Sequence, residues 1–302
     1  MKNTLYKPDA KKYITSGLPI PHTPSINSLS ASVREFCPKD EMFLNYIAHE
    51  LRTPINVVLG SIQLFEMMGE DLFIRSNHGK FKVYNNIMKQ NCYRLLRVVN
   101  NLIDVSRLES NNFCLFLANH DIVGIVREIV ESAKPYAEKK GLTLKFKSGI
   151  KELVTVFDED KLSRVIINLL SNAIKFTPEG GTIKVEISLK QDKVYISVKD
   201  TGTGIPSDLL DKIFKPFFQV DKSLSRNHEG GGLGLYLAES IVKLHDGSIT
   251  VKSKPKKGST FIVALPVKKM EQEPSDNEGK DSGRELYLSP ADKVKIELSD
   301  LF

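Results

Sequence analysis

The stretch TIKVEISLKQDKVYISVKD, residues 182–200, decides the fold class of this chain. Apolar and polar residues alternate along Thr182–Leu189 and again along Lys193–Lys199. An alternation of period two predicts a strand with one buried face. Isolated runs of the same kind occur at Leu142–Lys147 and Ser259–Leu265. The quoted stretch therefore predicts two neighbouring strands of a sheet to which the other runs also belong.

Helical patterns separate these strands and bear on how the sheet is built. They lie near residues 121–139, 159–175 and 233–245. The β runs adjoin one another at 182–199 and 248–265, as they do in antiparallel hairpins. This order predicts an α/β sandwich with a mixed, largely antiparallel sheet rather than a doubly wound parallel sheet. We assign this domain to residues 113–266.

Upstream of this domain, apolar residues recur at spacings of three or four, which is typical of amphipathic helices. The first stripe consists of Leu44, Ile47, Leu51, Ile55, Val58 and Ile62, and the second of Tyr84, Met88, Cys92, Leu95, Val99, Leu102 and Val105. A short polar turn joins them, so residues 39–112 are expected to form an antiparallel helical hairpin. One hairpin buries both stripes poorly, and we expect two copies to pair as a four-helix bundle, a homodimer.

The two ends of the chain lack sustained periodicity. Residues 1–38 carry scattered Pro, Ser and Asn and are expected to be a flexible leader. Residues 267–302 are expected to be a polar, disordered tail, with one short helix near Ala291–Phe302. No apolar run approaches the ~20 residues of a membrane span, and the N-terminus does not resemble a signal peptide. We therefore expect a cytoplasmic protein without a membrane span.

Composition excludes several functional classes. The 302 residues are 41% hydrophobic and 26% charged, which is ordinary for a globular protein. The net charge of +6 does not indicate nucleic-acid binding, because Lys and Arg alternate with acids and no basic run contains aromatic residues. Cys37, Cys92 and Cys114 lack the spacing of metal ligands, so buried or incidental thiols in a reducing compartment are expected.

The segment FLNYIAHELRTP, residues 43–54, places a histidine within the first helix. His49 lies two residues from Ile47 and from Leu51, roughly 200° around the helix from each, and so faces away from the apolar stripe. An exposed imidazole beside the Glu50 carboxylate is available as a nucleophile, although most surface histidines are inert. Thr53 lies one turn further along nearly the same face.

A polar face of the helix near 159–175 is a candidate metal and phosphate site. Asn168, Asn172 and Lys175 are spaced so that they share this face. The amide oxygen of Asn is a hard ligand that suits Mg²⁺ without adding charge beside phosphates. The solvent-facing side of an amphipathic helix would explain the same pattern equally well.

Two glycine-rich motifs flank a polar segment. In DTGTGI, residues 200–205, the Asp200 carboxylate can accept from an adenine amino group, and the glycines allow close backbone approach. In GGGLGL, residues 230–235, glycines lead into a helix whose amides can face phosphate. Between them, QVDKSLSRNHE, residues 219–229, suits a mobile lid. Phe214, Phe217 and Phe218 either anchor this lid or pack in the core.

Together these motifs resemble those of the sensor histidine kinases. HELRTP resembles their H-box, and NxxxNxxKF, DTGTGI, KPFF, GGGLGL and KGSTFIVALP follow in the order of their N, G1, F, G2 and G3 boxes. The latter belong to an ATPase fold shared with gyrase, mismatch-repair proteins and a heat-shock chaperone. The resemblance covers roughly residues 39–266, and so many motifs in order do not arise by chance.

The resemblance implies a role for each site residue. His49 would be the phosphoacceptor, Glu50 would accept its proton, and Thr53 would position water for dephosphorylating a partner. Asn168 and Asn172 would hold Mg²⁺, and Asp200 would recognise adenine. Lys175, Arg226 and the Gly230–Gly234 loop, with Gly230, Gly232 and Gly234, would contact phosphates, and Gly202 and Gly204 would bind the nucleotide beside Asp200. Gly231 stands where many relatives have Thr, a departure that puts the tightness of the lid in doubt.

The resemblance implies an ATP-dependent protein-histidine kinase that passes its phosphoryl group to an aspartate of a separate response regulator and also dephosphorylates that regulator. A non-catalytic dimer is a second hypothesis, but every nucleotide-site position carries suitable chemistry. A serine kinase of the anti-sigma type is a third, and it lacks a helical hairpin with a motif such as HELRTP.

Overall fold

The computed structural model describes residues 47–48, 50–64, 78–220, 232–270 and 289–298. Residues 47, 48 and 50–64 are helical and form α1. The later helices are α2 (His78–Glu109), α3 (Ile122–Lys139), α4 (Glu159–Phe176), α5 (Gly234–Leu244) and α6 (Pro290–Glu297). The strands are β1 (Ala118–Asp121), β2 (Thr143–Ser148), β3 (Val154–Phe157), β4 (Thr182–Lys190), β5 (Lys193–Asp200), β6 (Ser248–Lys254) and β7 (Gly258–Pro266). Within these ranges, no helix is long and apolar enough to cross a membrane.

The main sheet has five strands in the order β2-β4-β5-β7-β6. Strand β4 pairs antiparallel with β5, from Ile183 opposite Asp200 to Lys190 opposite Lys193. The β5–β7 and β6–β7 pairs are also antiparallel, whereas β2 and β4 are parallel. A second, two-stranded sheet pairs β1 with β3. The helical region followed by an α/β domain with a mixed, largely antiparallel sheet confirms the predicted fold class.

The core lies between one face of the sheet and helices α3, α4 and α5. The inward residues of the quoted stretch are at most 2% exposed: Ile183, Val185, Ile187, Val194, Ile196 and Val198. Residues on the opposite face are partly exposed, and Lys184 pairs there with Glu186 at 2.7 Å. The alternation in the sequence thus corresponds to a sheet covered by helices on one side.

Helix α4 begins at a buried cap. Asp158, which is 3% exposed, accepts hydrogen bonds from the backbone amides of Lys161 (3.0 Å) and Phe116 (2.8 Å). Its own amide donates to Nε2 of His245 at 3.0 Å. His245 Nδ1 lies 2.8 Å from the carbonyl of Ile241, so it is the nitrogen that donates. These bonds tie the start of α4 to the end of α5 and fix both helices that bear the candidate nucleotide motifs.

Charged and apolar contacts join α2 to the α/β domain. Asp104, 1% exposed, pairs with Arg164 and lies 3.6 Å from the ammonium of Lys161. Arg164 also donates to the Asn101 side chain at 2.5 Å. A small apolar cluster beside these pairs is built on Val105, Leu233 and Leu237, with Leu108, Phe217 and Tyr236 against it. The start of α5 therefore packs directly on α2.

Helix α6 lies in the region for which we expected a polar tail with one short helix. Val294 and Leu298 are each 1% exposed, and the helix contacts α2, α3 and α4. Lys293 pairs with Asp160 of α4 at 2.7 Å. Arg97 of α2 donates to the backbone carbonyl of Glu297 at 3.2 Å. Helix α6 therefore contacts both the helical region and the α/β domain.

We predict that Val294→Asp releases α6 from this position. The substitution places a carboxylate where Val294 is 1% exposed, and an unpaired buried charge is strongly unfavourable. Amide hydrogen exchange within residues 290–297 should rise by about a hundredfold. Ala291→Asp, at an exposed position of the same helix, is the matched control and should leave exchange unchanged. Equal exchange in the two variants would show that burial of Val294 does not hold α6.

Candidate functional site

The polar face of α4 carries the three residues singled out from their spacing. The opposite side of the helix is buried in the core, including Leu162, Ile166, Leu170 and Ile174 at 1% exposure or less. Asn168, Asn172 and Lys175 are partly exposed, and the Asn172 amide donates to Asn168 Oδ1 at 3.1 Å. The structure thus brings the two amides together on one accessible face, with Lys175 one turn beyond.

The start of α5 packs against this face. A Cβ atom on Gly234, the first residue of α5, would lie 2.2 Å from Asn168 Nδ2 and 2.8 Å from Oδ1. A side chain at residue 234 would force the Asn168 side chain to move, so glycine allows the α5 N-terminus to lie directly against Asn168 in its present position. The glycine-rich motif and the amide face therefore form one site.

Asp200 ends β5 and is held from both sides. It is 6% exposed, and its Oδ1 accepts from the backbone amides of Gly202 (2.8 Å) and Ser259 (3.1 Å). Burial raises the pKa of the Asp200 carboxyl, and these backbone hydrogen bonds partly oppose the rise. With Oδ1 fixed by two donors, the carboxylate has a set orientation in which Oδ2 can face a ligand amino group.

Two serines that were given no role from the sequence support this loop. Ser253 Oγ lies 2.9 Å from Ser259 Oγ, donates to the Gly258 carbonyl at 3.0 Å, and accepts from the Ile205 amide at 2.8 Å. They tie residues 200–205 to the β6–β7 turn. Ser259 falls within the quoted KGSTFIVALP motif, but Ser253 is linked to the loop only by the pairing of β6 with β7.

The glycines of DTGTGI are required by packing within the protein. Gly204 has φ +68°, and a Cβ there would lie 2.0 Å from the Lys254 carbonyl. A Cβ on Gly202 would lie 2.5 Å from the carbonyl of Phe176, the last residue of α4. The loop is therefore pressed between the end of α4 and β6, which places Asp200 near the end of the amide face.

Lys140 is a further residue that the sequence reasoning missed. Its ammonium group donates to the carbonyls of Ile174 and Lys175, both at 2.7 Å. These carbonyls belong to the last turn of α4, where a cation also interacts favourably with the helix dipole. Burial lowers the pKa of the Lys140 ammonium. Lys140 thus fixes the end of the helix that bears Lys175.

A backbone hydrogen bond joins the residues on either side of the predicted lid. The Phe217 amide donates to the Gly232 carbonyl at 3.1 Å, and Gly232 has φ +65°. Phe214 and Phe218 pack against the main core, whereas Phe217 packs on the small cluster with Leu233. All three aromatic residues therefore pack in a hydrophobic cluster, and they also lie next to the lid in the chain. Core packing and anchoring of the lid are compatible at these positions.

Several predicted site residues lie outside the described residues: His49, Arg226, Gly230, Gly231 and residues 221–229 of the lid. Glu50 and Thr53 are described, and both are partly buried on α1. The helix continues through the buried Pro54 without interruption. The structure therefore places Glu50 and Thr53 on the helical run of residues 50–64 and brings the candidate nucleotide-site residues of β5, α4 and α5 together.

Two family models match the chain in adjoining regions. Residues 40–111 match the His Kinase A (phospho-acceptor) domain. Residues 157–269 match the histidine kinase-, DNA gyrase B- and HSP90-like ATPase. The first range contains α1 and α2, and the second contains α4, α5 and strands β4–β7.

Curated relatives and solved structures agree with these matches. The autoinducer 2 sensor kinase/phosphatase LuxQ of Vibrio parahaemolyticus is 32% identical over 86% of this chain and 29% of its own. ShkA, solved at full length in complex with AMPPNP, is 28% identical, with a TM-score of 0.57 over 76% of this chain and 46% of that chain. The histidine kinase ThkA, solved in complex with response regulator protein TrrA, is 27% identical, with a TM-score of 0.53 over 76% of this chain and 61% of that one. The chain spans only 16–42% of the length of the curated relatives compared.

We predict that Asp200→Asn stabilises the fold at neutral pH. Because burial raises the folded-state pKa of this carboxyl, the folded protein binds its proton more tightly than the unfolded chain does. The stability of the wild type should therefore fall, relative to the Asn variant, as pH rises through that pKa. Urea unfolding of both proteins between about pH 4 and pH 8 measures the difference. If the unfolding free energy of the variant exceeds that of the wild type by more at low pH than at high pH, the pKa of Asp200 is not raised in the folded protein.

Proposed function

Because this chain belongs to the sensor histidine kinases of two-component systems, we propose that it phosphorylates its own His49 with ATP and passes the phosphoryl group to an aspartate of a separate response regulator. The domain that carries β4 to β7 is of the ATP-binding type. One observation carries the proposal. The contact of Gly234 with Asn168 joins the glycine-rich start of α5 and the amide face of α4 in a single site.

In the proposed nucleotide complex, the Asp200 carboxylate accepts a hydrogen bond from the adenine amino group. Its neighbours Gly202 and Gly204 keep the backbone of the loop close to the base. Lys175 and the amides of Gly232 and Gly234 bind phosphate oxygens, with Arg226 and Gly230 completing the contacts from the lid. The positive end of the α5 dipole and these cations favour the negatively charged triphosphate.

The amide pair of α4 fits Mg²⁺. Asn168 and Asn172 offer hard, uncharged oxygens on side chains that are partly exposed and joined by a hydrogen bond from Asn172 Nδ2 to Asn168 Oδ1. Such donors suit an ion that keeps several waters and takes other ligands from the phosphates. When bound, the ion would neutralise charge on the phosphates during transfer.

Phosphoryl transfer then depends on His49 and Glu50. A ring nitrogen of neutral His49 forms the new N–P bond as the bond between the γ-phosphorus and the β,γ-bridging oxygen breaks, releasing ADP. The Glu50 carboxylate accepts the proton from the other ring nitrogen. In the second step the N–P bond breaks and the phosphoryl group passes to the aspartate of the response regulator. Catalysis consists mostly of positioning and charge neutralisation.

Exposed apolar side chains on α1 support the proposal of a homodimer. Large hydrophobic residues are 37–50% exposed along this helix: Ile55, Val57, Leu59, Ile62 and Leu64. The phospho-acceptor domain family matches the same region. Ile55, Leu59 and Ile62 share one face of the helix, and a second copy of the chain would cover that face by pairing the two hairpins in a four-helix bundle.

A phosphatase activity is proposed for Thr53, which lies one turn beyond His49 in the sequence. Its hydroxyl can hold a water near a phosphorylated aspartate of a docked regulator. LuxQ, which matches 86% of this chain over 29% of its own length, is a sensor kinase/phosphatase. The proposal is therefore that one helix supports both the addition and the removal of phosphate.

We predict that His49→Gln abolishes acid-labile labelling by γ-labelled ATP while leaving ATP affinity nearly unchanged. The amide of Gln cannot form the phosphorylated intermediate, and residue 49 does not belong to the proposed nucleotide site.

We predict that Asn172→Ala also loses labelling, because it removes a proposed Mg²⁺ ligand, and that it retains the wild-type circular dichroism spectrum. Labelling and nucleotide binding are measured on the same preparations.

The control for that experiment is His120→Gln, since His120 lies in β1 and pairs with Glu159 outside the site. This variant should label like the wild type. Acid-labile label on His49→Gln would overturn the choice of phosphoacceptor. Wild-type labelling by Asn172→Ala at all Mg²⁺ concentrations would overturn the metal assignment alone.

We predict that Thr53→Ala separates the two activities. Autophosphorylation should stay within a few-fold of the wild type, because Glu50 supplies the proton acceptor. Dephosphorylation of the regulator should slow by roughly ten- to a hundred-fold through loss of one water-positioning hydrogen bond. Thr53→Ser, which keeps the hydroxyl, should retain the second activity. If Thr53→Ala lowers both rates equally, Thr53 serves the helix and not the reaction.

A further inference from the structure

A cavity lies between helices α2, α3 and α6, apart from the nucleotide site. Its accessible volume is about 340 Å³, within the range of small-molecule sites. Gln90 and Tyr93 of α2 line one side, Tyr136 of α3 a second, and Leu298, directly after α6, a third. The phosphoacceptor hairpin, the ATP-binding domain and the C-terminal helix thus each contribute a wall.

The charge of this cavity is strongly positive. Three lysines line it, one from each helix: Lys89, Lys139 and Lys295. Among the residues that the structure describes, no Asp or Glu lines the cavity. The ammonium groups of Lys89 and Lys295 both lie 5.9 Å from the centroid of the Tyr93 ring. Two cations therefore lie beside one aromatic ring in the lining of the cavity, and a bound anion would offset their charge.

The remaining lining adds flat apolar surface and hydrogen-bond donors. Tyr93, Tyr136, Pro135 and Leu298 provide surface against which a planar ring can pack. Burial, followed by the proximity of Tyr93, raises the pKa of the Tyr136 phenol. That phenol therefore stays uncharged at neutral pH, and the Asn86 side-chain amide, also in the lining, can donate to a carboxylate or phosphate.

We propose that this cavity binds a small organic anion with a planar ring. Its carboxylate or phosphate would lie among Lys89, Lys139 and Lys295, and its ring would pack on Tyr93 and Tyr136. The three lysines are exposed at the mouth of the cavity, so the attraction is screened by salt and the ring supplies much of the affinity. Because the walls come from three separate parts of the chain, the bound anion favours the arrangement in which α6 contacts both α2 and α3.

The test uses 1-naphthyl phosphate and 1-naphthoate as probes, titrated into the whole chain by calorimetry. A saturating non-hydrolysable ATP analogue keeps the probes out of the nucleotide site. Both anions should bind more weakly as salt is raised, and uncharged 1-naphthol should bind at least about tenfold more weakly than either. The ratio of the two affinities shows how strongly the cavity prefers the more highly charged phosphate over the carboxylate.

Variants connect the binding to this cavity. Replacing Lys89, Lys139 and Lys295 together by Gln should weaken naphthyl phosphate at least about tenfold. Lys134→Gln is the matched control, because Lys134 lies on α3 but pairs with Glu131 away from the cavity. It should bind like the wild type. Since the three lysines are exposed, the triple variant should fold, and Lys295→Gln alone gives a milder version of the same test.

Three results would overturn the proposal. They are no binding of either anion in the presence of the ATP analogue, equal affinity for naphthol and naphthyl phosphate, and equal binding by the triple variant and Lys134→Gln. None of these results depends on labelling of His49, so failure here leaves the proposed kinase activity untouched.

Discussion

Helix α4 buries one face in the core against the sheet and presents Asn168, Asn172 and Lys175 at the surface. The packing of the rest of the ATP-binding domain depends on this orientation of the helix. The buried carboxylate of Asp158 fixes where the helix begins. Lys140 holds its last carbonyls. A helix anchored at both ends and packed along one side has little freedom to rotate, so the amide pair keeps its orientation without a bound ligand.

The same helix sets how closely its neighbours approach. Gly234 touches the Asn168 side chain, and Gly202 touches the carbonyl of Phe176 at the end of α4. A Cβ at residue 202 would meet backbone, and a Cβ at residue 234 would displace the Asn168 side chain, so the glycine motifs serve the internal packing of the protein as well as access for a ligand. This double use explains why glycine is needed at positions where a phosphate or a base would not itself demand it.

The strands and helices that could be predicted from the sequence are those whose pattern of apolar and polar residues lies within one stretch of the chain. Strands β4 and β5 alternate over eight or nine residues, so their buried faces could be predicted from spacing alone. Strands β1 and β3 have only four residues each and offer too short a pattern. The contacts of Lys140, Ser253 and Asp104 join residues far apart in the chain or in separate elements, and spacing carries no information about such pairs. The resemblance to a family implies the role of each motif, and only the structure shows which residues pack against that motif.

Helix α6 follows in the chain every element that it touches, and this order has a consequence for biosynthesis. The ribosome makes α2, α3 and α4 before Val294 and Leu298, so the surface that these two residues cover has no counterpart in the chain until α6 is synthesised. During synthesis, therefore, α6 is the last of these elements to become available, and the contacts that join α2 to the ATP-binding domain through α6 are the last of this group that the chain can form.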